Sequence, residues 1–182
     1  MPSEELVETP KFQGIGGGLS TLIVDGAIAP WNDDVPGRWI GPHTLKDVGS
    51  YVSKFCEPQA GIYRLIGLDN KGKPAALDRI CGCDRTGTLY IGREGKNFAV
   101  RSRLSKLVRA LREPRGSSGV RIYNDEHNAG YRLRHHPMLS LRFPISKLAL
   151  TWCYSAESKE AERCLLDFYF WSFGDTPPLN RE

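Results

Sequence analysis

Apolar positions recur at helical spacing in several stretches of the chain and as short β-favouring runs in three others. Val100, Leu104, Leu107, Val108 and Leu111 share one face of a predicted helix over residues 97–112, while Arg103, Lys106, Arg109 and Arg112 fall largely elsewhere. Pro114 marks its end. A second helix is expected over residues 158–173 with Ala161, Leu165, Phe168 and Ser172 on one face, and Pro177-Pro178 excludes further helix. Residues 44–55 predict a third, with Thr44 as its cap and Leu45, Val48 and Val52 on one side, ended by Glu57-Pro58. Residues 61–67, 87–92 and 148–154 are rich in Ile, Tyr, Leu and Trp and read as strands.

Between these elements the chain is irregular. Residues 1–57 form an N-terminal extension with Gly14-Ile15-Gly16-Gly17-Gly18, Ala29-Pro30-Trp31 and Pro36-Gly37, and a short strand is expected near Thr21 to Val24. The glycine run lacks the Gly-Lys-Ser/Thr ending of a phosphate loop and reads as a flexible loop. Residues 58–182 contain the remaining regular elements, with an insertion over residues 69–86 that is too long for a hairpin turn. Residues 115–144 show no single period and predict a mixture of loop and short helix. At 182 residues the whole reads as one compact unit.

Composition changes this picture little, and charge placement changes it more. No apolar stretch approaches the roughly 20 residues that cross a bilayer, and the acidic start lacks the pattern of a secretory signal. A cytoplasmic protein with no membrane partner is expected. The five cysteines lack paired CxxC spacing and are expected to be reduced, with Cys81-Gly82-Cys83 a loop rather than half of a zinc site. The net charge is +4, yet residues 93–147 hold 13 Lys/Arg against 4 Asp/Glu, while residues 1–60 hold 4 against 8. Such a basic segment suits either a phosphate backbone or a solvated helix face.

Gly61-Ile62-Tyr63 on the first expected core strand and Tyr90-Ile91-Gly92 ending the second match the two tripeptides that name the GIY-YIG nuclease superfamily. Lys96-Asn97-Phe98-Ala99-Val100-Arg101 resembles that superfamily's basic segment entering a helix. Ala161-Glu162-Arg163-Cys164-Leu165-Leu166 resembles its glutamate followed by two aliphatic residues, and Pro177-Pro178-Leu179-Asn180 is similar to its terminal proline and asparagine segment. The resemblance covers residues 58–182. It implies an α+β fold, a small three-stranded antiparallel sheet flanked by helices, and a divalent-metal-dependent endonuclease that hydrolyses DNA by a one-metal mechanism. Two features depart from the common pattern: the interval between the tripeptides is longer, and Arg101 lies one residue further from Tyr90, which leaves Arg103 as its rival.

The resemblance assigns chemistry residue by residue. Glu162 is the expected ligand of Mg²⁺ or Mn²⁺, because hard ions take oxygen donors and magnesium commonly keeps several waters beside one carboxylate. Arg101, or Arg103, is expected to hold the scissile phosphate through its planar fork of donors. Tyr63 and Tyr90 are expected to position or deprotonate water, which requires a cation or hydrogen bond to lower a phenol pKa near 10. Arg93 is placed to touch phosphate or tune a tyrosine. Asn180 either orients a phosphate or water or caps a turn. His127 is a proton carrier, a DNA contact or a surface loop residue. Arg132 and Arg134, with His135 and His136, offer a basic surface for backbone contacts. A catalytically silent nucleic-acid-binding module and a protein-interaction domain are the competing classes. If the basic segment binds phosphates, affinity for a fluorescent DNA duplex will fall steeply with added salt in an anisotropy titration, and a flat response removes that role.

Overall fold

A computed structural model of the chain describes residues 23–24, 27–28, 39–48, 52, 56–94, 100–112 and 127–180. The glycine run at 14–18, the turns at 29–31 and 36–37, and the Lys96 to Ala99 segment lie outside these residues. Strands β1 (Ile23–Val24) and β2 (Ala27–Ile28) make a two-residue antiparallel ladder. The main sheet contains β3 (Ile40–Thr44), β4 (Gly61–Gly67), β7 (Thr88–Glu94) and β8 (Leu148–Tyr154). Its order is β3-β8-β4-β7, with every pair antiparallel. The expected three strands are all present, and the fourth comes from the segment assigned to the extension. Residues 40–44 pair along β8, with His43 opposite Leu150 and Thr44 opposite Ala149. Residues 45–48 and 52 are helical, and Thr44 Oγ1 donates to the Asp47 side chain at 2.7 Å.

Strand β4 is central and buried along its length, so its alternation divides the core in two. Tyr63 and Leu65 face a cluster built with Trp152, Leu150 and the buried stripe of helix α1 (Val100–Arg112). All five apolar positions expected in that stripe are buried. Helix α2 (Asn128–His135) packs on α1, where a Cβ on Gly130 would stand 2.7 Å from Ala110 Cβ. Helix α3 (Pro137–Arg142) follows, with His136 accepting the Leu139 amide at its start. The opposite face of β4 presents Ile62, which packs with Ile91 against helix α4 (Ser158–Phe173). The buried face of α4 is Ser158, Ala161, Leu165, Tyr169 and Phe173. Phe168 and Ser172 are only half-buried, so the apolar stripe is rotated from the expected one toward the i, i+4 row through Tyr169.

The insertion forms a second hairpin, β5 (Leu77–Arg79) and β6 (Gly82–Asp84), braced against the C-terminal end of α4. Cys81 donates its amide to Phe173 O at 3.0 Å, and Arg79 meets Asp175 at 2.6 Å. Cys81 and Cys83 are exposed, and the five cysteines carry no disulfide. Phe173 lies eleven residues beyond Glu162, about 16 Å along the helix at 1.5 Å per residue, so the insertion supports α4 at the end remote from that carboxylate. No helix among the described residues is long and apolar enough to cross a membrane.

One polar network lies inside this apolar packing. Arg64 is fully buried and donates Nη2 to the Thr86 and Thr88 hydroxyls. Burial pushes its pKa down to about 10, and Asp84 is the leading counter-charge that raises it. Asp84 accepts the Thr86 amide at 2.6 Å, the Thr88 amide at 3.1 Å and the Tyr169 hydroxyl at 2.9 Å. Removing the carboxylate leaves a buried guanidinium uncompensated. Asp84→Ala will therefore lower unfolding free energy by about 3–5 kcal/mol in urea titration, whereas exposed Asp78→Ala will change it by less than about 0.5 kcal/mol.

Candidate functional site

The site is built at the β7 edge of the sheet, where the pairing of Tyr63 with Gly92 and of Leu65 with Tyr90 puts both tyrosines on the α1 face. Their ring centroids are 6.0 Å apart. Gly92 makes this possible. A Cβ there would stand 2.6 Å from Tyr63 Oη and 2.5 Å from Tyr90 Cε1, so the strand can pass under both phenols only without a side chain. Tyr63 has no exposed surface, while Tyr90 is partly exposed. Of the two, Tyr90 is the phenol that solvent reaches.

Helix α1 contributes Arg103, whose charge is felt by Tyr63, Tyr90, His127 and Glu162 alike. It also lies 3.9 Å from Glu94. Arg101, favoured from its spacing, is exposed on the other flank of α1, where its charge acts on Cys56. The helix meets the sheet with its Arg103 flank toward β7, so the structure brings Arg103 rather than Arg101 to the tyrosines.

Glu162 reaches the same edge from the opposite face, on the first half of α4. Its Oε2 accepts from Arg93 Nε at 2.8 Å, and Arg93 points to that face because it pairs with Ile62. Burial raises the Glu162 pKa, opposed by the charges of Arg93 and Arg103. Burial likewise raises Tyr90, with the Glu162 charge second. Burial raises Tyr63 still further, so both phenols hold their protons at neutral pH.

Asn180 does not face the open side of this cluster. Its Oδ1 accepts the Ile91 amide at 2.8 Å and its Nδ2 donates to Ile91 O at 2.6 Å, completing the hydrogen bonds of an edge strand beside Tyr90. Leu179 donates its amide to Leu89 O at 2.9 Å, so the C-terminal segment runs along the outer edge of β7. Its side chain pairs with the backbone of β7 rather than capping a turn, and one Nδ2 hydrogen remains beyond that pair. Arg132 is exposed, donates to Leu179 O at 3.2 Å, and places its charge near Tyr90. Arg134, two residues on and about 200° around the helix, occupies another side of α2.

His127 differs most from its expected place. It is neither an exposed loop residue nor a DNA contact, because it is fully buried. Its Nε2 lies 2.5 Å from Tyr63 Oη, and its ring meets both tyrosine rings edge-on, at 5.8 and 5.4 Å. A histidine pattern at this spacing carried no signal of that burial; the Ala129-Gly130 pair after it, small enough to seat α2 on α1, was the clue available.

Among the described residues no group of three or more His, Cys, Asp or Glu is disposed around a common metal position. A single half-buried carboxylate, Glu162, suits an ion that keeps most of its waters and fills the rest of its shell from a phosphate. The chain matches no protein-family model, no curated protein and no solved structure.

The His127 environment sets a pH dependence. Burial first and the Arg103 charge second push its pKa down to about 3. The unfolded chain binds this proton near pH 6.5, so the stability from the neutral ring is present in full above that value and is lost as pH falls toward 3. The loss amounts to up to ~5 kcal/mol across the window. In urea titrations at a series of pH values, His127→Gln will show a flatter decline below pH 6.5 than the parent. Parallel curves would remove His127 as the source.

Proposed function

We propose that the protein is a divalent-metal-dependent endonuclease that hydrolyses DNA phosphodiester bonds. The observation that carries this reading is the convergence of Tyr63, Tyr90, Arg103 and Glu162, from four separate elements, on one edge of the sheet. Phosphodiester hydrolysis needs an oriented water, positive charge against the phosphate, and stabilisation of the leaving oxygen. Arg103 presents a permanently charged planar fork to the phosphate, and Arg93 and Arg132 flank it with further positive charge. Tyr90, partly exposed and held by the Asn180 clamp on its neighbour, orients the water through its hydroxyl. Glu162 would hold Mg²⁺ or Mn²⁺, which when bound supplies Lewis-acid charge at the phosphate. The basic segment between Arg93 and Lys147 would meet the backbone on either side.

The Arg93–Glu162 ion pair supports a second reading, a nucleic-acid-binding module without turnover, because a carboxylate shared with a guanidinium is a weaker ligand. The two separate by direct assay with plasmid, branched and single-stranded DNA and RNA, with and without Mg²⁺. Glu162→Ala will abolish Mg²⁺-dependent cleavage while folding and DNA binding persist. Arg103→Ala will lower the cleavage rate about 10²-fold or more, on the scale of losing one charged transition-state donor, and Arg101→Ala will lower it less than about threefold. Full activity in Glu162→Ala, or a larger loss at Arg101 than at Arg103, overturns the assignment; no cleavage by the parent leaves the binding module.

A further inference from the structure

Tyr63 and His127 are the two fully buried members of the site, and neither reaches a substrate directly. His127 sits at the N-cap of α2, where a polar side chain usually accepts a helix amide. It makes no such bond. Its backbone is extended at φ −77° and ψ 115°, and the ring turns away from the helix into the core to lie 2.5 Å from Tyr63 Oη. The α2 start is held there by the Gly130 contact with Ala110 and by Tyr131 N donating to His127 O at 3.0 Å. A helix cap has thus been given up for a bond to one phenol.

We propose that His127 is a positioning residue for the nuclease site: its neutral Nε2 accepts the Tyr63 proton and so fixes the direction in which the Tyr63 oxygen presents its lone pairs to Arg103. This inference rests on the nuclease reading. A phenol oxygen has one proton and two acceptor sites. With the proton committed to His127, the remaining lone pairs are left for a donor, and Arg103 is the group whose charge and hydrogen bond favour the Tyr63 oxygen. Arg103 is thereby anchored at its Tyr63 end, with Glu94 3.9 Å from its Nε. The bond holds Arg103 from behind and touches neither water nor phosphate itself.

His127 does not take the proton. A ring with a pKa of about 3 beside a phenol held well above its usual value keeps the proton on oxygen by many orders of magnitude. The proton therefore rests on the Tyr63 oxygen, and orientation is what the resting pair supplies. The tautomer this requires carries its hydrogen on Nδ1, a buried atom with no hydrogen-bond partner among the described residues.

Nitrogen-15 NMR of the histidine-labelled protein tests the bond without reference to activity. The expected spectrum at pH 7 shows a neutral His127 ring protonated on Nδ1, with the Nε2 signal moving when Tyr63→Phe removes the donor. An imidazolium signature, a ring protonated on Nε2, or an Nε2 signal indifferent to Tyr63→Phe overturns the proposal. Cleavage kinetics test the role. His127→Phe is expected to lower kcat about 10²-fold with KM for DNA within threefold of the parent, and His127→Gln, whose amide oxygen reaches the Nε2 position, to recover kcat to within about tenfold. Circular dichroism and melting curves verify that both variants fold; if His127→Phe does not, the Gln variant measured against Tyr63→Phe carries the same comparison. Equal kcat in parent and Phe variant, or a Gln variant no better than Phe, overturns the role alone. A parent that cleaves no nucleic acid overturns the nuclease reading and the role with it, while the NMR result still decides whether the bond exists.

Discussion

A tyrosine with no exposed surface at the centre of a sheet must satisfy its hydroxyl inside the protein, and this constraint organises the α1 face of the molecule. Water cannot serve an oxygen that it cannot reach, and leaving it unpaired costs on the order of 1–3 kcal/mol. Tyr63 meets the requirement with His127, a residue far away in sequence, carried by a helix that is seated by small residues against α1. The same phenol needs room over the neighbouring strand, which only a glycine at position 92 provides. Gly92, His127 and the Arg103 flank of α1 are consequences of placing that one ring in the core.

The other side of the site depends on the β7 edge. An edge strand presents unpaired amides and carbonyls, and here the chain covers them with its own C-terminal segment, through Leu179 to Leu89 and the two-point contact of Asn180 with Ile91. Because Ile91 sits between Tyr90 and Gly92, the clamp steadies the backbone that carries Tyr90 and the gap beneath Tyr63. The insertion steadies the opposite end of α4 through Arg79, Cys81 and Asp84. Glu162 is consequently held by a helix that is braced far from it, and the long insertion between Tyr63 and Tyr90 makes these structural contacts.

Much of this was legible in the sequence because it is local. The spans of α4 and β8 and the buried stripe of α1 follow from periodicity, which depends only on neighbours along the chain. What was not legible depends on which side of an element faces what. Arg101 and Arg103 flank the α1 stripe almost symmetrically, and only the placement of β7 selects Arg103. Residues 40–44 look irregular, with Gly41-Pro42 inside them, and become a strand because β8 offers an edge to pair with. His127 sits in a polar context, Glu126-His127-Asn128, and only the small Ala129-Gly130 pair after it points to close packing there, without reporting which way the ring turns. The expected α4 stripe runs through Phe168, the more apolar neighbour, whereas Tyr169 is the one with a buried acceptor, Asp84.

Tyr63 and Arg64 are adjacent on the central strand, and each has polar partners on its own face of the sheet. Side chains alternate with period two, so a slip of β4 by one residue would carry the Arg64 charge into the cluster of Leu104, Leu107 and Trp152 and the Tyr63 hydroxyl toward Ile91 and Leu165. The first move strips a buried guanidinium of Thr86, Thr88 and the Asp84 counter-charge; the second strips a phenol of His127. Apolar strands of similar hydrophobicity on both faces specify register weakly, because either face accepts either set of side chains. Two consecutive polar residues with incompatible partners remove that freedom. The polar network behind α4, remote from the site chemistry, therefore helps fix the site: by holding Arg64 on its face it holds Tyr63 on the other, under Gly92 and against His127.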